Sequence, residues 1–568
     1  MKIKHFFGLA VLAAMTASCS SNNELVNGGN GSGEVENGTA YASFKINLPT
    51  TTGGTRADDP TPGTPSFEHG TAAEYEVKNG TILIFDATTD QFVTSAELGT
   101  MNPWTDVKAD GVTTAAIATV KLSNVSVTGN YNALVLLNNN TTDNDTKKVT
   151  LPSTADTYAT WSKDASKANA TNYVSTDGIF MANAPMYSAT SEPTTLVKIK
   201  NVCASPEEAQ AKAATVVYVE RGLAKVTMKD FTAGGYPIAD GTYAGGKVEI
   251  KNWQLDVTNN STFPVHQTGT LKDSWAEIWN TPRFYDQTST AFKRVYWGVD
   301  PNYNEAKYQV LANCKTAFKM ITKDDVNGVT ANPQYCLENT FDLDNMKQGQ
   351  TTRVVFKSVF TPKNFTTGQT FYKIGNNTDI WKEADLKQQI KTVALTAMGI
   401  TDPEEQKKYD VDLTKGTNIS GKAGQHLIKA DNITYTDEAA SSEVKENVVK
   451  KINEKLNTIN DKLGLSAETG ISTYLNGEAY YIARIKHFNE MTPWTPGTGY
   501  GLDNDAFLGR YGVLRNNWYE LSVNKVNGLG YPDVPEVKPT VPDDENDQYI
   551  NVSVKILDWA KRSQSVDL

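Results

Sequence analysis

Period-two alternation is the first order visible in this chain. In "TAYASFKINLPT" (39–50), Ala42, Phe44, Ile46 and Leu48 alternate with Ser43, Lys45 and Asn47, the spacing of a strand with one buried face. "EYEVKNGTILIFD" follows, with Thr81 to Phe85 apolar enough for a central strand. Further strands are predicted over 115–127, 130–139, 195–202, 214–231 and 246–259, which closes a first β-rich domain (57–260). A second set, over 293–300, 351–362, 368–375, 477–488 and 515–529, marks another (261–531). A short helix is predicted from Pro206 to Ala214, with Ser205 as N-cap and Pro206 as its first residue.

Between about 376 and 470 the period changes. "TDIWKEADLKQQIKTVALTAMG" and "SSEVKENVVKKINEKLNTINDKLG" read as helices, and the second places Val444, Val448, Ile452, Leu456, Ile459 and Leu463 on one face before Gly464 ends it. The stripe is read as packing against the sheet, so the chain is expected to be mainly β, with a helical insertion in its second domain.

After Leu529 the pattern stops. Pro532, Pro535, Pro539 and Pro542 keep 532–547 extended and out of any central strand. At ~3.1 Å per residue in polyproline geometry, such a linker would reach on the order of 50 Å. Beyond it, in 548–568, Ile550, Val552, Val554 and Ile556 alternate with Asn551, Ser553 and Lys555, followed by Trp559. This strand has two possible places: folded back on its own domain, or paired with another chain.

The loop between the first two strands contains "LPTTTGGTRADDPTPGTP" (48–65). Its glycines, threonines, aspartates and prolines describe an exposed connection. Arg56 is the only arginine before Arg221. It reads either as a solvated charge or as a point where a trypsin-like protease cuts, between Arg56 and Ala57. Long loops in compact domains are usually functional or disordered.

Composition narrows the class. The 568 residues carry a net charge of −11, which argues against binding nucleic acid. At the N-terminus, Lys2 and Lys4 precede an apolar run from Phe6 to Met15 and small residues before Cys19, a secretion signal (1–18). A cysteine at that place resembles the acylated residue of a bacterial lipoprotein, although Thr16 stands where Leu is usual; the alternative is ordinary cleavage near Ala17. Residues 19–38 have too little apolar content to fold and read as a tether. Cys203, Cys314 and Cys336 remain; Cys314 and Cys336 are the sequence-closest pair for a disulfide, but any of three pairings is open. The histidines are scattered, and no GxSxG, HExxH or P-loop appears, so no catalytic, metal or cofactor site is expected.

Longer stretches carry a family resemblance. "VVYVERGLAKVTM" (216–228), "FMANAPMY" (180–187), "YCLENTFD" (335–342), "QGQTTRVVFKSVF" (348–360) and "RYGVLRNNWYELSVNKVNGLGYP" (510–532) resemble the fimbrillins of Bacteroidales, in particular the shaft subunit of short, Mfa-type fimbriae. The resemblance implies two transthyretin-like (Ig-like) β-sandwich domains in tandem. It implies an outer-membrane lipoprotein precursor acylated at Cys19 (palmitate) and cut at Arg56–Ala57, which removes 39–56 with the strand bearing Ala42, Phe44, Ile46 and Leu48. It also implies a donor strand bearing Ile550, Val552, Val554, Ile556 and Trp559, inserted into the next copy of the chain. Its partners would be other copies of itself, accessory tip and anchor subunits and an arginine-specific protease, in a surface fimbrium that supports adhesion and biofilm. The insertion at 376–470 and the imperfect lipoprotein signal depart from the family pattern. A tip or anchor subunit, or a glycan-binding surface lipoprotein, are the other readings of the same features.

Overall fold

The computed structural model describes residues 38–49, 70–99, 105–109, 112–141, 146–173, 178–280, 284–285, 292–303, 306–327, 331–487, 507–543 and 550–558. The first alternating run forms strand β1 (Thr39–Pro49). It belongs to a sheet with β2 (Gly80–Asp86), β3 (Phe92–Glu97), β4 (Thr105–Ala109), β5 (Val112–Ser123), β6 (Tyr131–Leu137), β7 (Met181–Asn183), β8 (Val197–Lys198) and β9 (Thr215–Arg221). The order is β3-β2-β6-β7-β9-β1-β5-β4, with β8 also on β6.

Strand β9 turns this sheet over on itself. Its first half pairs with β1 (Phe44↔Thr215 to Asn47↔Tyr218) and its second half with β7 (Asn183↔Val219 to Met181↔Arg221). The two limbs face each other across one core, in which Phe44, Ile46 and Leu48 of β1 meet Ile82, Ile84, Val135 and Val219. The run Thr81–Phe85 is apolar on both faces because β2 is buried on both: Leu83 and Phe85 point into a separate core with Trp161, Tyr173 and Phe180.

The remaining strands build a sandwich. One sheet is β15-β10-β24-β25 and the other β11-β12-β16-β23. The first comprises β10 (Ala224–Met228), β15 (Gln334–Cys336), β24 (Asn517–Val526) and β25 (Ile550–Asp558). The second comprises β11 (Tyr236–Pro237), β12 (Lys247–Asp256), β16 (Arg353–Thr361) and β23 (Glu478–Arg484). Val226, Tyr519 and Leu521 from one sheet share a core with Trp253, Phe356 and Tyr481 from the other. A short pair, β13 (Thr258–Asn259) and β14 (Phe318–Lys319), lies outside these sheets.

This arrangement corrects the expected boundary near residue 260. The runs 224–228 and 247–256 belong to the second sandwich, and the chain crosses between the two at Gly222. A side chain there would stand 3.0 Å from the rings of Phe180 and Tyr173. The apolar positions change phase across Gly222, from Val217 and Val219 to Ala224, Val226 and Met228, so the one strand predicted over 214–231 spans the change of sheet.

The insertion is also more than a pair of helices. Helix α1 (Pro206–Ala211) belongs to the first half; α2 (Glu383–Met398) and α3 (Ser442–Lys462) are the inserted ones. They pack with a small sheet, β17-β22-β20-β19, made of β17 (Phe371–Ile374), β19 (Thr417–Asn418), β20 (Gln425–Leu427) and β22 (Ile471–Tyr474). Strands β18 (Tyr409–Val411) and β21 (Ile433–Tyr435) form a second small pair. The α3 stripe contributes Ile452, Ile459 and Leu463 to the insertion's own core, with Leu386, Ile390, Ile428 and Ile471, and Val444 stays exposed. Ser441 Oγ accepts from Val444 N at 3.3 Å, and Gly399 and Gly464 follow the two helices at φ +68° and +71°, conformations that favour glycine.

The proline-rich tail is not a free spacer. Tyr531 exchanges two backbone hydrogen bonds with Tyr480, Arg353 Nη2 donates to Pro535 O (2.7 Å), Gln348 N donates to Val541 O (3.0 Å), and Thr351 Oγ1 donates to Asp543 Oδ2 (2.9 Å). Val534 and Val537 of the tail are themselves buried. The prolines do keep the tail out of the ladders, but its carbonyls and valines dock it. Only 544–549 separate the docked part from β25, a reach of about 20 Å when fully extended.

Candidate strand-exchange site

Strand β1 lies between two neighbours over its central residues. It pairs antiparallel with β5 from Thr39↔Ser123 to Leu48↔Thr114, and parallel with β9 over Phe44–Asn47. Ala42, Phe44, Ile46 and Leu48 are 0% exposed. The opposite face is strapped by residues 203–211. Tyr41 and Cys203 exchange backbone hydrogen bonds at 2.8 Å, and Ser43 Oγ donates to Ala209 O at 2.8 Å while lying 2.8 Å from Thr119 Oγ1. The strap holds because Ser205 caps α1, accepting from Glu208 N (3.2 Å), and Pro206 opens it. One atom of β1 is poorly served: Asn47 Oδ1 is buried with no hydrogen-bond partner among the described residues.

The chain resumes beyond the loop at Gly70. Arg56 and Ala57 lie outside the described residues, as do Cys19 and Trp559. Just past the loop, Glu74 is buried and accepts from Thr71 N (2.6 Å) and Tyr335 OH (2.7 Å), with Lys225 Nζ at 2.7 Å. Burial pushes its carboxyl up, but Lys225, Tyr335 and Thr71 outweigh it and hold the pKa below the usual range. Arg221 Nε donates to Glu74 O (2.8 Å), and Lys225 Nζ lies over the Trp518 ring at 3.7 Å. The segment after the loop is therefore fixed to β9, β10, β15 and β24 together.

A second buried network joins the two halves. Glu220 of β9 accepts from Arg294 Nε and bonds His266 Nδ1, each at 2.6 Å. Arg294 Nη2 donates to Arg515 O (2.9 Å), and Arg515 Nε donates to Glu338 (3.1 Å). Burial raises the Glu220 pKa, but the charges of Arg294 and His266 bring it to about 2. Sequence patterning did not reveal this network. The available signal was Glu220 and Arg221 themselves, adjacent charges inside "VVYVERGLAKV", where a half-exposed strand would carry none on its buried face.

None of the three open pairings forms: Cys203, Cys314 and Cys336 are separate buried thiols. Cys314 donates to Tyr308 O (2.8 Å) among Phe318 and Val537, while Cys336 faces Ala224 and Val226 in the sandwich core. Although near in sequence, the two lie in different cores. Burial pushes their pKa values up to about 11 and about 12, so neither is a ready thiolate. Among the described residues no group of acidic, histidine or cysteine side chains is arranged to hold a metal, and no helix is long and apolar enough to cross a membrane.

Strand β25 sits at a sheet edge. It pairs antiparallel with β24, from Asn517↔Asp558 to Val526↔Ile550, with one register shift between Val523 and Lys525. Of the two places the sequence leaves open, the single chain adopts the fold-back, with β24 as the ladder partner of β25 among the described residues.

Residues 472–565 match the family model described as major fimbrial subunit protein type IV, fimbrillin, C-terminal. No curated protein matches the chain. Among solved structures, the tip fimbrial protein Mfa3 from Porphyromonas gingivalis, with a C-terminal truncation, is similar at 11% identity, covering 91% of this chain and 100% of that one, with a TM-score of 0.28. A fimbrial assembly protein from Parabacteroides distasonis is similar at 13% identity, covering 58% of this chain and 98% of that one, with a TM-score of 0.24. The segment from β22 through β25 is thus fimbrillin-like, on a chain that is mainly β.

Proposed function

We propose that this chain is a shaft subunit of a cell-surface fimbria, built by exchanging one strand for another. The observation that carries the reading is the place of β1: an inner strand with a fully buried apolar face, joined to the rest of the chain only through 50–69, the loop that contains Arg56. The precursor is exported with a lipid on Cys19 and held at the outer membrane. An arginine-specific protease then cuts between Arg56 and Ala57. Residues 19–56 leave with the lipid, and the mature subunit is 57–568.

An intact β1 leaves no open edge at the slot, which suppresses premature association. Once it leaves, β5 and β9 each lose a ladder partner. Apolar surface once covered by Phe44, Ile46 and Leu48 is exposed, at about 1.5–3 kcal/mol for each side chain. A neighbour's β25 restores both. At home β25 has one neighbour, β24. In the slot it would have two, β5 and β9, so the transfer exchanges an edge for an interior position. The contact is head-to-tail, and repetition builds a filament rather than a closed pair. Having both Arg56 and β25 fits a shaft subunit better than an anchor that keeps its lipid or a tip that needs no donor.

Purified precursor tests this directly. Filaments should be seen by electron microscopy only after arginine-specific cleavage, and neither Arg56→Ala nor truncation before Ile550 should yield any. Filaments from uncut Arg56→Ala protein would overturn the reading.

A further inference from the structure

The strand that would leave and the strand that would enter share a sequence. Ala42-Ser43-Phe44-Lys45-Ile46 of β1 matches Val552-Ser553-Val554-Lys555-Ile556 of β25, with Ser, Lys and Ile identical. Extended to 40–47 and 550–557, every apolar inward position of β1 meets an apolar residue: Ala40 with Ile550, Ala42 with Val552, Phe44 with Val554, Ile46 with Ile556. Alternation alone would give that for any half-buried strand. The coincidence of serine and lysine on the other face goes further.

The structure shows what the serine position demands. Ser43 is buried, with its hydroxyl between Ala209 O under the strap and Thr119 Oγ1 of β5. A one-residue slip would turn the apolar face of the incoming strand outward. Slips of two keep the alternation but change the occupant of the Ser43 seat, to Asn551 in one direction and to Lys555 in the other. One places Lys555 at the buried Asn47 position, and the other places Asp558 at Ile46, inside the core. In the matched register Leu557 replaces Asn47, whose Oδ1 has no partner among the described residues, and Ile550 and Val552 add apolar bulk near the place where Val554 is smaller than Phe44. Asp558 then takes the place of Leu48, the last apolar position of β1 and itself buried, just past the last pairing with β9.

Resting on the function proposed above, we infer that β25 of one copy enters the slot of the next in a single register, with Ser553 taking the seat of Ser43 between Thr119 and Ala209, and Leu557 that of Asn47. The Ser43 seat selects the register, and the Asn47 seat makes the incoming strand the better occupant.

Cysteine pairs across the slot test this. In a Cys203→Ala background, Ser43→Cys with Thr119→Cys should close within the precursor, since the two oxygens face each other. In filaments, Thr119→Cys with Ser553→Cys should give a covalent ladder of subunits on mild oxidation, whereas Asn551→Cys or Lys555→Cys with Thr119→Cys should give none, being two residues out of step. A ladder from either shifted pair would overturn the register while leaving strand exchange standing. Filaments without a ladder from any pair would overturn both. A peptide of residues 548–559 supplies a readout that needs no filament: with Cys at 553 it should couple to the cut, β1-free Thr119→Cys subunit at least tenfold faster than with Cys at 551, and equal or reversed rates would contradict the register.

Discussion

The Glu74 carboxylate lies 2.7 Å from the Lys225 ammonium, and both side chains are buried. This contact ties the chain just beyond the loop to the first strand of the second sandwich. On the proposed mechanism, a cut at Arg56 would free a strand on one side of the loop and leave the other side fixed. Breaking one partner of a buried pair strands the other charge, at about 3–5 kcal/mol. Lys225→Met should lower the urea midpoint of the mature subunit accordingly. A midpoint unchanged within error would show the pair to be dispensable.

Acid should loosen the joint between the halves. The folded pKa of Glu220 is about 2, against an ordinary value of 4.5, so its contribution is fully present above the ordinary value and is lost as pH falls through the folded one. The loss should amount to a few kcal/mol, since each tenfold change in proton affinity between the folded and unfolded chain is worth about 1.4 kcal/mol. Stability measured by denaturant from pH 5 down to 2 should fall more steeply for the wild type than for Glu220→Gln, which is already weakened at pH 5. Parallel slopes would contradict the assignment.

Strand β1 is expected to be an imperfect occupant. Removing the unpartnered buried oxygen with Asn47→Leu should stabilise the precursor by about 1–3 kcal/mol. The same change should slow filament growth after cleavage, because β1 leaves less readily. A higher melting temperature with unchanged growth would separate the two effects and show that release is not limiting.

The docked tail makes a local prediction. Thr351→Val removes the hydrogen bond to Asp543, worth about 1.5–3 kcal/mol for a charged acceptor. Amide exchange should quicken over 531–543 while the sandwich amides of β16 and β23 keep their protection. Uniform acceleration would mean that the tail and the sandwich open as one unit.

Local patterns were legible wherever one element used one face. The alternation of 42–48, the double-faced run at 81–85, the Ser205 cap and the glycine that ends α3 all stand in the structure where the patterning puts them. What was not legible depends on contacts distant in sequence. A strand that changes partners halfway, as β9 does, reads as one strand whichever partner each half takes. The tail docks through carbonyls and two valines that look incidental among prolines. The insertion's strands are two to four residues long; β17 falls within the strand predicted over 368–375, and the others are too short to show a period. The charged joint was hidden because Glu338, Arg294 and Arg515 meet Glu220 only in the fold. The slot itself was readable as a strand, but its strap and the unpartnered oxygen of Asn47 were not.

The most direct measurement is the intact mass and N-terminal sequence of the subunit taken from filaments sheared off the cell surface. The account expects a chain that begins at Ala57 and carries no acyl group. A chain that begins at an acylated Cys19 and still contains residues 40–48 would contradict it, since the slot would then remain filled by its own β1.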